Sequence, residues 1–287
     1  MGYTSTKFET MKVTRRKIDF NRMREIYPER VNIVSEGDSW FAYPKKWLLF
    51  GPPSNIIDYL SDWTFRKANF YNMASNGEEA VNILSGEQKH ELIEILRWHE
   101  KAKGRRPVDL LLFSGGGNDV AGENDFERFI DPDTSYRGVD IKHFIDMDRL
   151  SRKSKQISLA YQELIDIRDY YSPNTVIVGH TYDYPIPSGG AKFLGGLIET
   201  ESWMKKYMDK IKIPKELQAD VLRVFIDQLA EDLLSISDPD KNVHIIDTRG
   251  TLLEKNWLNE MHPNSEGFKY ISNVMFGKIR ELFPKLT

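Results

Sequence analysis

Five short apolar runs, at 31–35, 68–73, 108–113, 175–179 and 243–247, most constrain what this chain can fold into. Most of them are too continuous in apolar residues to leave one face wet, the pattern of strands in a parallel sheet covered on both sides. Stretches with helical spacing lie between them. One is 77–103, with Val81, Leu84, Leu92, Ile95 and Leu96, and another is 157–167, with Ile157, Ala160, Tyr161 and Leu164. Pro214 opens a helix carrying Leu217, Val221, Phe225, Leu229 and Leu233, and Asn264 caps a last helix with Phe268, Ile271, Met275 and Ile279 inward. Strand and helix alternate, so the expected class is an α/β sandwich.

Composition narrows the partners. The chain has 287 residues, 40% apolar and 29% charged, enough for one large α/β domain or two small ones. Its net charge of -3, from 40 basic and 43 acidic side chains, offers no large field for a nucleic acid. The absence of cysteine excludes disulfides, thiolate metal sites and a Cys nucleophile. No apolar run approaches the roughly 18 residues of a membrane span. The N-terminal stretch lacks the apolar core of a secretory signal, and no Asn-x-Ser/Thr sequon occurs, so the expected location is cytoplasmic. The opening Met1-Gly2 with Thr6 matches an acylation pattern, but bulky Tyr3 argues against it.

The organisation expected is an N-terminal extension over 1–30 and a single domain over 31–287. Two insertions, near 121–150 and 186–235, exceed the minimal alternation. The second contains Ser-Gly-Gly and a cluster of Leu197, Ile198, Trp203, Met204, Tyr207 and Met208. Both follow strand ends, where open α/β sheets bind ligands. They can shape or cover a site, or simply pack on the surface.

Chemistry-bearing residues recur at those same ends. After the first strand comes Ser35-Glu-Gly-Asp-Ser39-Trp-Phe, which reads either as an ordinary turn or as an exposed nucleophile. Gly77 follows the second strand, Asn118 the third, and His262 lies past the fifth. A serine hydroxyl needs a base, and the imidazole of His262 titrates near neutrality. A tetrahedral intermediate needs preset donors, which the backbone N–H groups of Ser39 and Gly77 and the side-chain amide of Asn118 could supply.

These blocks, Gly37-Asp-Ser39, Gly77, Gly116-x-Asn118-Asp and His262-Pro, resemble in order the four blocks of the SGNH, or GDSL, hydrolase superfamily. The resemblance runs from about residue 31 to the C-terminus. It implies a three-layer α/β/α sandwich with a five-stranded parallel sheet, flavodoxin-like, and hydrolysis of a small-molecule ester or thioester with no cofactor and no metal. Ser39 would be the nucleophile, His262 the base, and Ser39, Gly77 and Asn118 the oxyanion hole. The family usually has Asp three residues before the His, and here that position is Asn259. Asn259 or a main-chain carbonyl could orient His262, Glu260 could replace the acid, or activity could be lost. The stretch from Trp257 to Pro263 resembles a Trp-x-[Asp or Asn]-Glu-x-His-Pro form of the last block.

Other residues carry paired readings. Asp38 and Asp119 are read as caps or loop staples. Trp40, His180 and Tyr182 are read as substrate contacts, although His180 could equally be a satisfied histidine under the sheet. Two other functions compete. A metal-dependent phosphoesterase would use Asp38, Asp119 and His180, but an early Asp-x-His and a late Gly-His-x-His are both missing. A non-catalytic binding module is suggested only by Asn259. The sequence leaves the acyl group, the alcohol and the oligomeric state open.

Overall fold

A computed structural model describes residues 8–44, 54–122, 125–130, 138–189, 192–193, 198–199 and 202–287. All five expected strands form: β1 (Val31–Gly37), β2 (Ala68–Asn72), β3 (Leu110–Ser114), β4 (Val176–His180) and β7 (Val243–Ile246). They pair in parallel in the order β2-β1-β3-β4-β7, and two short strands, β5 (Lys192–Phe193) and β6 (Ile198–Glu199), form a separate antiparallel pair. Every residue of β1, β2 and β3 is buried, as the continuous apolar runs require of a sheet covered on both faces.

Eleven helices are described in chain order. They are α1 (Lys17–Ile26), α2 (Ser39–Ala42), α3 (Ile56–Trp63), α4 (Ala80–Ile83), α5 (Gly86–Leu96), α6 (Gly117–Ala121), α7 (Phe126–Phe129), α8 (Met147–Tyr171), α9 (Lys205–Lys210), α10 (Lys215–Leu234) and α11 (Ser265–Leu282). Helix α3 packs on α11, while α8 packs on α4, α5, α6 and α10, which builds the two helical layers. Asn264 caps α11 as expected, its side chain accepting the Gly267 N–H at 3.0 Å. The helical stretch at 77–103 is broken into α4, α5 and a 3-10 turn, with Leu84 and Ser85 between the first two and Gly86, at φ 51, opening the second.

Two features go beyond the strand and helix pattern. Helix α3 crosses from β1 to β2, capped by Asn55, which accepts the Asp58 N–H at 2.9 Å. The N-terminal segment joins the sheet edge: Thr14 forms an isolated parallel bridge with Tyr71, and α1 buries Phe20 and Met23 completely. Leu197 and the Met1-Gly2 pattern lie outside the described residues. Among those residues no helix is long and apolar enough to cross a membrane.

The sheet order reverses direction between β1 and β3. Crevices outside the carboxyl ends of strands at such a switch point are where open α/β sheets bind ligands. The segments leaving β1 and β3 there carry Ser39 and Asn118.

Candidate active site

Gly37 sets the exit from β1. It has φ +151, and a Cβ there would lie 2.3 Å from the Ser114 carbonyl oxygen, so only glycine lets the two strands run this close. Asp38 then caps α2, accepting the Trp40 N–H at 3.0 Å, and Ser39 is the first residue of that one-turn helix. Strand end, tight approach and cap together present the Ser39 hydroxyl at the switch point.

His262 arrives from the loop before α11. Its Nε2 lies 2.8 Å from Ser39 Oγ, and its Nδ1 lies 3.1 Å from Asn259 Oδ1. Asn259 Oδ1 also accepts the main-chain N–H groups of Met261 at 2.9 Å and His262 at 2.7 Å. Those two donors require an oxygen at that position, which fixes the amide's orientation and therefore puts the ring proton on Nδ1. Nε2 keeps its lone pair toward Ser39. Burial pushes His262 well below its ordinary value, to about 3, so the ring is neutral at neutral pH. Tyr43, four residues after Ser39, lays its ring against the imidazole with centroids 4.3 Å apart, and Trp203 approaches it edge-on at 6.0 Å.

Gly77 and Asn118 line the same cleft as His262, a space of about 450 Å³ that also meets Asn76, Glu79 and Asp125. Gly77 has φ +84 with nothing within 4 Å of the position a Cβ would take, so its backbone faces open space. Asn118 Nδ2 donates to the Glu78 carbonyl at 2.8 Å, which uses one amide proton and holds the turn carrying Gly77 against the start of α6. Asp119 is the staple the pattern suggests, accepting the Ala80 N–H at 2.6 Å beside Lys153 Nζ at 3.3 Å.

Three residues are placed differently from their alternative readings. Glu260 is fully buried and turned away from His262. Its carboxylate accepts the N–H groups of Trp203 at 2.6 Å, Met204 at 2.9 Å and Lys205 at 3.1 Å, and the Ser202 hydroxyl at 3.0 Å. His180 is equally buried and lines neither cleft at the site; Nε2 meets Ser114 Oγ at 3.0 Å and Nδ1 meets the Thr181 carbonyl. Burial lowers it to about 4. Asp38 takes hydrogen bonds from Trp40 N, Ser114 Oγ and the Tyr182 hydroxyl, and burial outweighs them to raise its carboxyl to about 6. Asp38 and His180 are thus committed inside the protein. Among the described residues no three His, Cys, Asp or Glu side chains converge in a way that could hold a metal ion.

Trp40 and Tyr182 do reach the site. Both line a second, small, mostly apolar cavity of about 30 Å³ beside Ser39, together with Pro185, Met204, Ile226 and Met261. The sequence reading missed Tyr43, Ser114 and Met261. The signal for Tyr43 was its spacing of four from Ser39; Ser114 and Met261 had none, because their contacts come from other strands and loops.

No protein-family model matches the chain, and it is similar in sequence to none of the curated proteins. Solved structures do match. A lipase from a goat rumen metagenome superposes with a TM-score of 0.54 at 14% identity, over 88% of this chain and 97% of that one. An extracellular lipase from Streptomyces rimosus superposes with a TM-score of 0.52 at 16% identity, over 86% of this chain and 99% of that one. With its parallel sheet in the order β2-β1-β3-β4-β7 between two helical layers, the chain has a three-layer α/β/α, flavodoxin-like fold, which it shares with these two lipases.

Proposed function

We propose that this protein is a serine ester hydrolase that works through an acyl-enzyme. One observation carries the reading: Ser39 Oγ, His262 Nε2 and Asn259 Oδ1 stand in line at 2.8 and 3.1 Å. His262 takes the Ser39 proton as Oγ attacks the ester carbonyl carbon, and the carbonyl oxygen becomes an oxyanion. The N–H groups of Ser39 and Gly77 and the free amide proton of Asn118 are the donors for that charge. His262 then gives its proton to the leaving alcohol oxygen as the carbon–oxygen bond breaks. Water, deprotonated by His262, releases the acid and restores Ser39.

Asn259 serves as the third member by holding the ring in the required tautomer without supplying charge. Glu260 acts one step removed, as the anchor of residues 202–205. The substrates are small esters, and the two superposed structures, both lipases, fit this reading.

Fluorophosphonate labelling and p-nitrophenyl acetate hydrolysis test it. The parent labels and turns over, while Ser39→Ala does neither and His262→Ala loses turnover. Equal labelling of Ser39→Ala and the parent would overturn the mechanism.

A further inference from the structure

Two cavities meet the proposed catalytic pair and differ in size: Ser39 lines the smaller and His262 the larger. If the protein is the hydrolase proposed above, the leaving oxygen must sit where His262 can protonate it, and of these two cavities His262 lines the larger. The present inference rests on that reading. The alcohol part of the substrate therefore occupies the cleft of about 450 Å³, among Asn76, Glu79 and Asp125. The acyl group has the other side. That side is the cavity of about 30 Å³, which Ser39 lines and His262 does not. Since roughly 10–15 Å³ is the least that holds a single water, a space this small admits only one or two small groups, such as the methyl or ethyl of an acetyl or propionyl chain.

Met204 is one of the apolar side chains that line that cavity. It is 1% exposed and lies in the second insertion, so its position depends on what ties the insertion down. The tie is Glu260, which accepts the N–H groups of three successive residues, Trp203, Met204 and Lys205. Ser202 adds a clamp, donating its hydroxyl to Glu260 while accepting the Lys206 N–H at 3.0 Å. A carboxylate sharing this many donors is a rigid anchor, and it sits one residue from Asn259 and two from His262. The loop that positions the base therefore also positions part of the lining of that cavity. Ile226, from α10, forms part of the same lining.

We propose that Met204, seated by Glu260, is a specificity-determining residue that restricts this enzyme to esters of short acids, acetate and propionate. A longer acyl chain has to displace Met204 or Ile226, and a pocket that misfits by one or more methylenes discriminates by about 10- to 200-fold.

The test is kcat/KM on p-nitrophenyl acetate, butyrate and octanoate. The parent should lose at least about 10-fold from acetate to butyrate, and more to octanoate. Met204→Ala should raise the butyrate-to-acetate ratio by about 10-fold, and Ile226→Ala should raise it independently from the other wall, which guards against one variant failing to fold. Glu260→Gln should raise the same ratio, since the amide cannot accept the full set of N–H donors on both its atoms. Parent activity on octanoate equal to that on acetate, or an unchanged ratio in both alanine variants, would overturn the proposal and leave the hydrolase reading standing. No fluorophosphonate labelling together with no turnover of any ester would overturn both.

Discussion

Asn259 holds His262 twice, by its ring and by its main chain: one Oδ1 atom lies 3.1 Å from the ring Nδ1 and 2.7 Å from the backbone nitrogen. An aspartate at this position would select the same tautomer and add a negative charge. The difference between the two residues is therefore electrostatic, not geometric. An Asn in a serine-hydrolase triad can be ruinous where its amide turns the wrong atom to the His. Here the Met261 and His262 N–H groups hold the oxygen toward the ring.

The pH profile should report that missing charge. The proposed mechanism needs neutral His262, and burial alone lowers its pKa, to about 3, so the acid limb of kcat/KM should lie below about pH 5. Asn259→Asp places an anion beside Nδ1, favours the imidazolium and should move that limb to higher pH by about 1 to 3 pH units. A profile that does not move, or moves down, would contradict this assignment.

Removing the orienting group is a different change. Asn259→Ala frees the ring to rotate and leaves the Met261 and His262 N–H groups without their acceptor. Steady-state kinetics should show kcat reduced by up to about 10,000-fold, the loss that follows from the wrong tautomer in a serine-protease triad.

If Asn118 is the oxyanion donor proposed above, Asn118→Ala should lower kcat by about 100- to 1,000-fold with little change in KM, because such a donor acts on charge present only in the transition state. A rise in KM at constant kcat would make Asn118 a substrate-binding residue instead.

Gly37→Ala should destabilise the fold by about 3 kcal/mol, since the new Cβ meets the Ser114 carbonyl at 2.3 Å in a backbone conformation foreign to alanine. The denaturation midpoint measures this directly, and an unchanged midpoint would show that β1 and β3 can separate there at no cost.

Glu36 should make stability depend on pH. One of its carboxyl oxygens accepts the Gly37 N–H at 2.8 Å, the other has no hydrogen-bond partner among the described residues, and burial raises the group to about 8. The unfolded chain releases this proton near pH 4.5 while the folded chain keeps it. Its contribution is thus fully present below 4.5 and is lost as pH rises toward 8, at up to about 1.4 kcal/mol per pH unit. Glu36→Gln removes that dependence, so its denaturation midpoint relative to the parent should climb from about pH 5 to about pH 8. A constant gap would show that Glu36 is ionised in the folded protein.

The pattern-based reading succeeded where local sequence carries the physics. Residues 108–113 are apolar without interruption save for Asp109, and 110–114 form the central strand β3. Asn264 caps α11 because an Asn before a helical apolar pattern has one dominant use. It fell short where partners are distant. His180 reads from sequence as a substrate contact or a core histidine, and only its burial against Trp40, with ring centroids 5.5 Å apart, and its bond to Ser114 choose between them. The Thr14 bridge to Tyr71 left no periodic trace, since one paired residue makes no pattern.

Asn259 and Glu260 mark the boundary most sharply. The sequence by itself determined the fold class and the roster of blocks, because strand burial, helical spacing and strand-end chemistry are written in neighbouring residues. It could not say which of two adjacent polar side chains faces His262, since an irregular loop has no period to read. The tertiary structure decided that: the Leu258 and Asn259 N–H groups both close onto the His262 carbonyl, a tight loop that turns Asn259 inward. Glu260 is turned the other way, into the N–H groups of an insertion more than fifty residues earlier in the chain. Which side chain meets which is settled by contacts between distant segments, and those contacts exist only once the sheet and its helices have assembled.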